Sequence, residues 1–208
     1  FTYWFYCSSI TTSTTEQIKI GISMNKLLSF KTETNGLPLW RARSNDEGQP
    51  HIVRLAAVLC DAETQEVIDQ MDVVIRPDGW EIPQETIEVH GIAFDHAVEK
   101  GIYEHDAVDM FLALVRKADA VVSSNKQFNS RIIRIALKRH AEESHQEAWN
   151  DNKENHFCAV KMAKDDLGNK GIALDEALAH YTGNTAKNND SLVNAESSAK
   201  VFFAINNK

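Results

Sequence analysis

The chain after residue 23 alternates between strand-like and helix-like patterns of apolar residues. Apolar runs at 27–30, 52–59 and 67–76 predict three strands, the last two joined as a hairpin by a polar turn. Apolar residues recur at helical spacing over 104–117 and 131–140, which predicts two amphipathic helices. Because strands and helices interleave along the chain, we expect an α/β domain with a mixed sheet.

Weaker patterns predict shorter elements and one polar connection. We expect short helices at 84–89, 95–100 and 174–181, a short strand at 120–122, and a closing helix at 191–205. The stretch 142–154 is rich in acidic and amide side chains, and this composition predicts a solvated connection. His140, His145 and His156 lie around it without the spacing of a metal motif, so we expect them at the surface or in loops.

Length, charge and cysteine content narrow the class of protein. A chain of 208 residues suffices for one α/β domain of ordinary size. The formal net charge of −8 argues against a long basic surface that follows phosphates, but it permits a small cleft for one strand end. Cys7, Cys60 and Cys158 indicate neither a disulfide framework nor a zinc knuckle, and a cytoplasmic setting fits them best. No apolar run reaches the roughly 18 residues of a membrane span.

The first 23 residues differ in character from the rest of the chain. Residues 1–7 are largely apolar, 8–15 are rich in Ser and Thr, and Met24 comes just before the first predicted core strand. We therefore expect 1–23 to be an N-terminal extension outside the core, and 24–208 to form the domain. An added edge strand is the alternative for the extension.

Two segments carry the first part of a family resemblance. The segment 30–38 reads FKTETNGLP and resembles the FDxETTG strand-end motif of the proofreading-type 3′→5′ exonucleases, the DEDDh group of the RNase H-like superfamily. Glu33 matches an acidic residue of that motif, and Lys31 stands where its first Asp belongs. The stretch 82–102, with IP, VHGI and GI in order, is similar to the part of the family that packs beside the terminal nucleotide.

Two later segments continue the resemblance, which covers nearly the whole chain after Met24. The segment 124–129 reads SNKQFN and resembles HNxxFD, so Asn129 occupies the position of the second Asp. The segment 189–195 reads NDSLVNA and resembles HxALxDA. Asn189 then occupies the general-base position, and Asn194 occupies the last metal-binding position. The resemblance implies an α/β RNase H-like exonuclease fold, with a mixed central sheet that contains an antiparallel hairpin and is flanked by helices.

The replaced residues bear on the chemistry that the resemblance implies. Active members hold two Mg²⁺ or Mn²⁺ ions roughly 3.5 to 4 Å apart between four carboxylates, while a His takes a proton from water. At Lys31, Glu33, Asn129 and Asn194 this chain offers one positive, one negative and two neutral groups, which add to zero charge. Magnesium prefers carboxylate oxygens, so we expect no metal cofactor here. Lys31 and Glu33 lie on the same face of a strand and can pair with each other.

The leading functional hypothesis is a catalytically inactive exonuclease relative with a cleft for a single-stranded 3′ end. The residues at which the family contacts the terminal nucleotides are Thr34, Asn35, Gly36, Leu37, Val89, His90 and Phe128. One alternative is a weakly active or altered metal-dependent exonuclease that uses Glu33 with Asp190. The other is a folded remnant or interaction module without nucleic-acid function, with a polymerase or another protein as its partner.

Overall fold

The centre of the protein is a five-stranded mixed sheet. The computed structural model describes residues 24–168, 171–186 and 190–207. Its strands are β1 Lys26–Thr34, β2 Ile52–Asp61, β3 Val67–Val74, β4 Ala120–Ser123 and β5 His156–Cys158, in the spatial order β3-β2-β1-β4-β5. The first three strands pair antiparallel, and β4 and β5 run parallel to β1. The predicted mixed sheet with its hairpin is confirmed.

Helices cover both faces of this sheet. They are α1 Gln84–His90, α2 Phe94–Lys100, α3 Glu104–Val115, α4 Lys126–His140, α5 Glu143–Asp151, α6 Ala159–Asp166, α7 Leu174–Thr182 and α8 Ser191–Asn206. One core cluster joins α3, α4 and α5 to one face, and a second joins α6, α7 and α8 to the other. Because β2 is buried on both faces, it is almost continuously apolar. Within the described residues, no helix is long and apolar enough to span a membrane.

The prediction of a solvated connection at 142–154 is wrong. Most of this stretch forms α5 and a 3₁₀ turn at Asn152–Asn155. Trp149 is buried against Phe30 and Phe111, with ring centroids 6.0 and 5.8 Å apart. Gln146 donates to the carbonyl oxygens of Leu137 and Ala141, at 3.2 and 2.8 Å, which satisfies the end of α4. One tryptophan and one glutamine anchor the helix, so it has no apolar stripe that a periodicity could reveal.

Other boundaries also differ from the sequence prediction. Helix α4 begins at Lys126, five residues before the predicted start, because the Asn125 side chain accepts a hydrogen bond from the Phe128 N–H at 3.2 Å. Strand β5 and helix α6 were not predicted, since each is short. His156 on β5 is buried, which corrects its expected surface position, and burial lowers the pKa of His156 to about 4. The predicted extension 1–23 lies outside the described residues.

Candidate functional site

The end of β1 meets the starts of α4 and α8, and this junction brings the predicted site segments together. Asn129 of α4 accepts hydrogen bonds from the Thr32 N–H at 3.1 Å and from the Thr32 hydroxyl at 2.8 Å. On α8, the Ser191 hydroxyl donates to Glu33 Oε1 at 3.2 Å. Segments nearly 100 and 160 residues apart in the sequence therefore adjoin at the end of the central strand β1.

The one carboxylate that matches the family motif is paired with a cation. Lys31 Nζ lies 2.9 Å from Glu33 Oε1, which confirms the pairing expected from their two-residue spacing. The same ammonium donates to the Thr32 carbonyl oxygen at 2.9 Å. Both side chains are largely buried, so solvent screens the pair only in part. The Glu33 carboxylate is therefore neutralised within the protein itself.

Asn129 uses both ends of its amide inside the protein. Its oxygen accepts the two hydrogen bonds from Thr32, and its Nδ2 donates to the Asn125 carbonyl oxygen at 3.0 Å. The residue is 1% exposed. This arrangement needs a donor at Nδ2, so the neutral amide fits the pocket better than a carboxylate. Asn129 acts here as a structural link between β1 and α4.

The fourth motif segment is described in part. Asn194 on α8 donates from Nδ2 to the Asp190 carbonyl oxygen at 2.9 Å, a bond within the first turn of the helix. Asn189, the residue at the predicted general-base position, lies outside the described residues. Its neighbour Asp190 is the N-cap of α8, and its Oδ1 accepts from the N–H groups of Leu192 and Val193 at 2.9 and 3.2 Å.

Arg54 on β2 holds the other oxygen of Asp190. Its Nη2 lies 3.0 Å from Asp190 Oδ2, and its Nε donates to Asp72 Oδ1 at 2.7 Å. Burial alone would raise the pKa of Asp190, but the Val193 N–H and the Arg54 guanidinium outweigh it and lower that pKa. The sequence showed Arg54 only as a lone charge in an apolar strand. Its register opposite Glu33 was the signal that could have identified it.

The residues of this site do not fit two magnesium ions. Lys31 places an ammonium at the position that the family resemblance assigns to the first ligand, and the Glu33 carboxylate is paired with it. The amide oxygen of Asn129 faces Thr32, and Asp190 is held by Arg54 and the start of α8. Among the described residues, no group of three or more His, Cys, Asp and Glu side chains is placed to hold a metal ion. Hard divalent cations need several oxygen ligands, and this donor set does not supply them.

The loop after β1 is held by hydrogen bonds to two neighbouring segments. Within it, the Thr34 hydroxyl donates to the Gly36 carbonyl oxygen at 2.7 Å, which fixes a tight turn. Asn35 accepts from the His51 N–H at 2.7 Å and donates to the Glu81 carbonyl oxygen at 3.0 Å. These bonds tie the loop to β2 and to the segment that precedes α1. The amide of Asn35 is thus committed to the protein scaffold.

Exposed apolar side chains stand on the loop and on α1. Leu37 is 78% exposed and Val89 is 65% exposed. Phe128, by contrast, is half-buried and packs against the core cluster on its side of the sheet. Of the positions expected to contact a terminal nucleotide, Leu37 and Val89 therefore offer open apolar surface, whereas Phe128 offers only part of its ring.

His90 ends α1 close to the Lys31 and Glu33 pair. Its Nδ1 accepts from the Ile92 N–H at 3.1 Å, so this nitrogen carries no proton. Burial lowers the pKa of His90, and the charges of Glu33 and Lys31 act on it in opposite directions. Its Nε2 is buried and finds no hydrogen-bond partner in the part of the chain that the structure describes. His90 thus presents an unused N–H donor beside the ion pair.

Replacing the buried amide by a carboxylate is expected to destabilise the fold. In Asn129→Asp, an oxygen replaces the Nδ2 donor and faces the Asn125 carbonyl oxygen at about the present 3.0 Å. A buried acceptor without a donor costs about 1 to 3 kcal/mol, and its charge adds to this. For a chain of this size we expect the melting temperature at pH 7 to fall by roughly 5 to 10 °C. The exposed Asn45→Asp serves as control, and an equal melting temperature for both variants would contradict this account of Asn129.

Comparison with known proteins identifies the family. The RNase T exonuclease family matches residues 30–202. Escherichia coli exonuclease I, solved in complex with a dA16 oligonucleotide, is similar in structure, with a TM-score of 0.68 and 16% identity over 88% of this chain and 41% of that protein. Exonuclease I from Methylocaldum szegediense is similar at a TM-score of 0.67 and 17% identity, over 88% of this chain and 40% of that one. Among curated proteins, no sequence matches this chain.

A third similar structure is a 3′-exonuclease in 3′-end-specific recognition of a histone mRNA stem-loop. Its TM-score is 0.65 and its identity 13%, over 89% of this chain and 65% of that protein. The present chain thus spans about two fifths of exonuclease I and about two thirds of the histone mRNA exonuclease. The family match covers most of the chain, and the sheet order and helix placement agree with it. The chain therefore belongs to the RNase T exonuclease family and has an α/β RNase H-like fold.

Proposed function

We propose that this domain binds the 3′ end of a single-stranded nucleic acid without cutting it. The observation that carries the proposal is the ion pair between Lys31 and Glu33, whose atoms lie 2.9 Å apart where the family motif holds metal-binding carboxylates. An ammonium repels divalent cations and attracts phosphate oxygens. An ammonium has three N–H donors, so Lys31 can contact Glu33 and the Thr32 carbonyl oxygen and still donate to a phosphate oxygen.

The surface around the ion pair suits a terminal nucleotide. Leu37 and Val89 expose apolar side chains, and the buried Nε2 of His90 is a donor for which the described residues supply no acceptor. Apolar contact with a base and a donor near the sugar or phosphate are the interactions that a strand end requires. E. coli exonuclease I with its bound dA16 and the histone mRNA exonuclease with its 3′-end recognition support a nucleic-acid ligand.

A weakly active enzyme that uses Glu33 with Asp190 is less well supported. Hydrogen bonds engage both oxygens of Asp190, one with the start of α8 and the other with Arg54. Recruiting this carboxylate to a metal would break the cap of α8 and an ion pair with Arg54. The Glu33 carboxylate would also have to leave Lys31. These costs favour binding without cleavage.

The third candidate function is that of an interaction module in a cytoplasmic setting, with a polymerase or another protein as its partner. E. coli exonuclease I has been solved with the C-terminal segment of SSB, which gives this reading a precedent in a similar fold. The large exposed apolar side chains of the described residues are divided among the loop after β1, β3 and the helices α1 to α3. We therefore place nucleic-acid binding first.

The proposal predicts that a free 3′ end improves binding. The test compares a 40-nucleotide labelled linear strand with a circle of the same sequence, and fluorescence anisotropy measures both dissociation constants. We expect the linear strand to bind roughly tenfold more tightly, as one or two extra hydrogen bonds at the terminus would give. Equal affinity for the two would contradict a cleft for a strand end.

Two matched substitutions locate the effect. Leu37→Ala removes an exposed side chain of the cleft, and Ile68→Ala removes a 49% exposed side chain from β3, on the outer edge of the sheet. We expect Leu37→Ala to reduce the preference for the linear strand, while Ile68→Ala leaves it unchanged. A similar loss in both variants would mean that the strand end binds elsewhere.

A further inference from the structure

A basic pocket lies between the loop after β1 and the outer face of α4. Its volume is about 290 Å³. The pocket is lined by Trp40, Lys126, Gln127, Ser130, Arg131 and Arg134. In a chain of net charge −8, three cationic side chains thus gather at one cavity. Helix α4, which supplies them, contains no acidic residue at all.

The three cations of this pocket lack carboxylate partners among the described residues. Lys126 Nζ donates to the Lys153 carbonyl oxygen at 3.1 Å, and Arg134 Nε donates to Asn150 Oδ1 at 2.9 Å. Arg131 donates to the Ser44 hydroxyl at 2.8 Å and to the Ala42 carbonyl oxygen at 2.7 Å. All of these acceptors are neutral. Each side chain is positioned by the protein while its positive charge stays uncompensated.

The electrostatics of the pocket favour an anionic ligand. Burial lowers the pKa of Lys126. Burial, together with the charge of Arg131, lowers the pKa of Arg134. The Nε of Arg131 is buried and has no hydrogen-bond acceptor within the described ranges. An anion in the cavity would relieve this repulsion and offer an acceptor for the guanidinium groups.

Trp40 adds an aromatic wall beside the cations. Its side chain is 52% exposed, and it stands on the loop that begins at the cleft. A phosphate alone would need no indole ring, whereas a nucleotide offers both a phosphate and a base that stacks on an aromatic face. The combination of three cations and an exposed tryptophan therefore favours a nucleotide over a simple anion.

Both walls of the pocket belong to segments that also contribute residues to the proposed strand-end site. On α4, Lys126 lies one turn before Asn129, and Arg134 lies five residues beyond it, about 7.5 Å along the helix axis. On the loop, Trp40 follows Leu37 by three residues. Arg131 holds this loop to α4 through the carbonyl oxygen of Ala42. A strand whose end lies in the cleft can therefore run directly into the pocket.

We propose that this pocket is a second nucleotide subsite, which holds an internal phosphate among Lys126, Arg131 and Arg134 and stacks the attached base on Trp40. The proposal rests on the proposed function, because it extends the path of the strand whose 3′ end lies in the cleft. The subsite distinguishes neither a strand end nor a particular base sequence. It adds affinity for any single strand and sets the direction in which the strand leaves the cleft.

The test uses the full chain with the labelled linear and circular 40-nucleotide strands. Trp40→Leu and Lys126→Gln probe the pocket, while Tyr103→Leu and Lys138→Gln serve as controls, an exposed aromatic residue and an exposed cation outside it. We expect Trp40→Leu to weaken binding of both strands about tenfold, the scale of one base–aromatic stack. We expect Lys126→Gln to reduce the slope of log affinity against log salt by about 0.7. The controls should leave both values unchanged.

The outcomes separate this proposal from the cleft. If the pocket variants bind both strands as the wild type does, the subsite is overturned, while the linear preference still supports the cleft. If the wild type binds the line and the circle equally, the cleft fails, and a tenfold loss in Trp40→Leu still supports the pocket. Wild-type protein that binds neither strand overturns both. If a poly-glutamate peptide binds the wild type but not Lys126→Gln, while strand binding is the same in all variants, the pocket is a site for acidic peptides. That result would overturn the proposal.

Discussion

Four reversions are expected to turn this domain into a metal-dependent 3′→5′ exonuclease. The changes are Lys31→Asp, Asn129→Asp, Asn189→His and Asn194→Asp. Together with Glu33 they would supply four carboxylates for two metal ions and a base for the attacking water. We expect the quadruple variant with Mn²⁺ to shorten a labelled single strand at least about 10³-fold faster than the wild type, the scale on which such groups act as a unit. Timed samples on a denaturing gel measure the rate.

Partial reversions serve as the controls for this result. Asn189→His alone is expected to stay inactive, because a base cannot act on a water that no metal positions. Lys31→Asp alone is also expected to stay inactive. It removes the ammonium, but the oxygen of Asn129 still faces Thr32. A quadruple variant that folds and binds two metals yet does not cut would mean that the cleft no longer positions a strand end. The proposed function would then fall as well.

A second large effect is expected at the buried carboxylate of Glu104. Glu104 begins α3, and its Oε2 lies 2.9 Å from both His51 Nδ1 and His140 Nε2. Its Oε1 accepts from the Ile52 N–H at 2.9 Å. The side chain thus joins α3, the start of β2 and the end of α4. Burial alone would raise the pKa of Glu104, but these hydrogen bonds outweigh it and lower that pKa to about 2.

The lowered pKa fixes the pH range in which Glu104 stabilises the fold. Against an ordinary value of 4.5, a folded pKa of about 2 corresponds to roughly 3 kcal/mol. Because the folded pKa is depressed, this contribution is complete above about pH 4.5 and is lost as the pH falls towards 2. We expect Glu104→Gln to lower the melting temperature at pH 7 by roughly 6 to 12 °C. The difference from the wild type should shrink below pH 4.5.

The exposed Glu147→Gln is the matched control for this experiment. It removes the same charge from α5 without a buried partner, so its melting temperature should follow the wild type at every pH. If Glu104→Gln and the wild type differ by the same amount at pH 7 and pH 3, the carboxylate does not contribute through its charge. Its role would then be packing alone.

Local pattern predicted most of the sheet and the longer helices, because those elements carry their own periodicity. Strand β2 is apolar on both faces and α3 has a clear apolar stripe, so each could be recognised from its own residues. Helix α5 could not, since its place depends on Trp149 reaching Phe30 and Phe111 across the fold. A helix held by one buried side chain has no periodic pattern of apolar residues in its sequence.

Motif order and strand geometry predicted only part of the site. The pairing of Lys31 with Glu33 followed from their two-residue spacing. The hydrogen bonds between Thr32 and Asn129 join residues 97 positions apart, and those of Glu104 join three separate elements. The pocket at Trp40 likewise depends on how the loop after β1 lies against α4. Such contacts arise from tertiary packing, which no local pattern records.

The most direct test of the central claim measures binding and cleavage in the same sample. A strand labelled at its 5′ end is incubated with the wild-type chain over a titration of Mg²⁺ or Mn²⁺, and anisotropy and a denaturing gel are read together. We predict that the strand binds with or without metal and remains full length, because Lys31 neutralises Glu33 and the other ligand positions carry no charge. A ladder of shortened products that appears with Mn²⁺ and disappears in Glu33→Gln would contradict binding without cleavage.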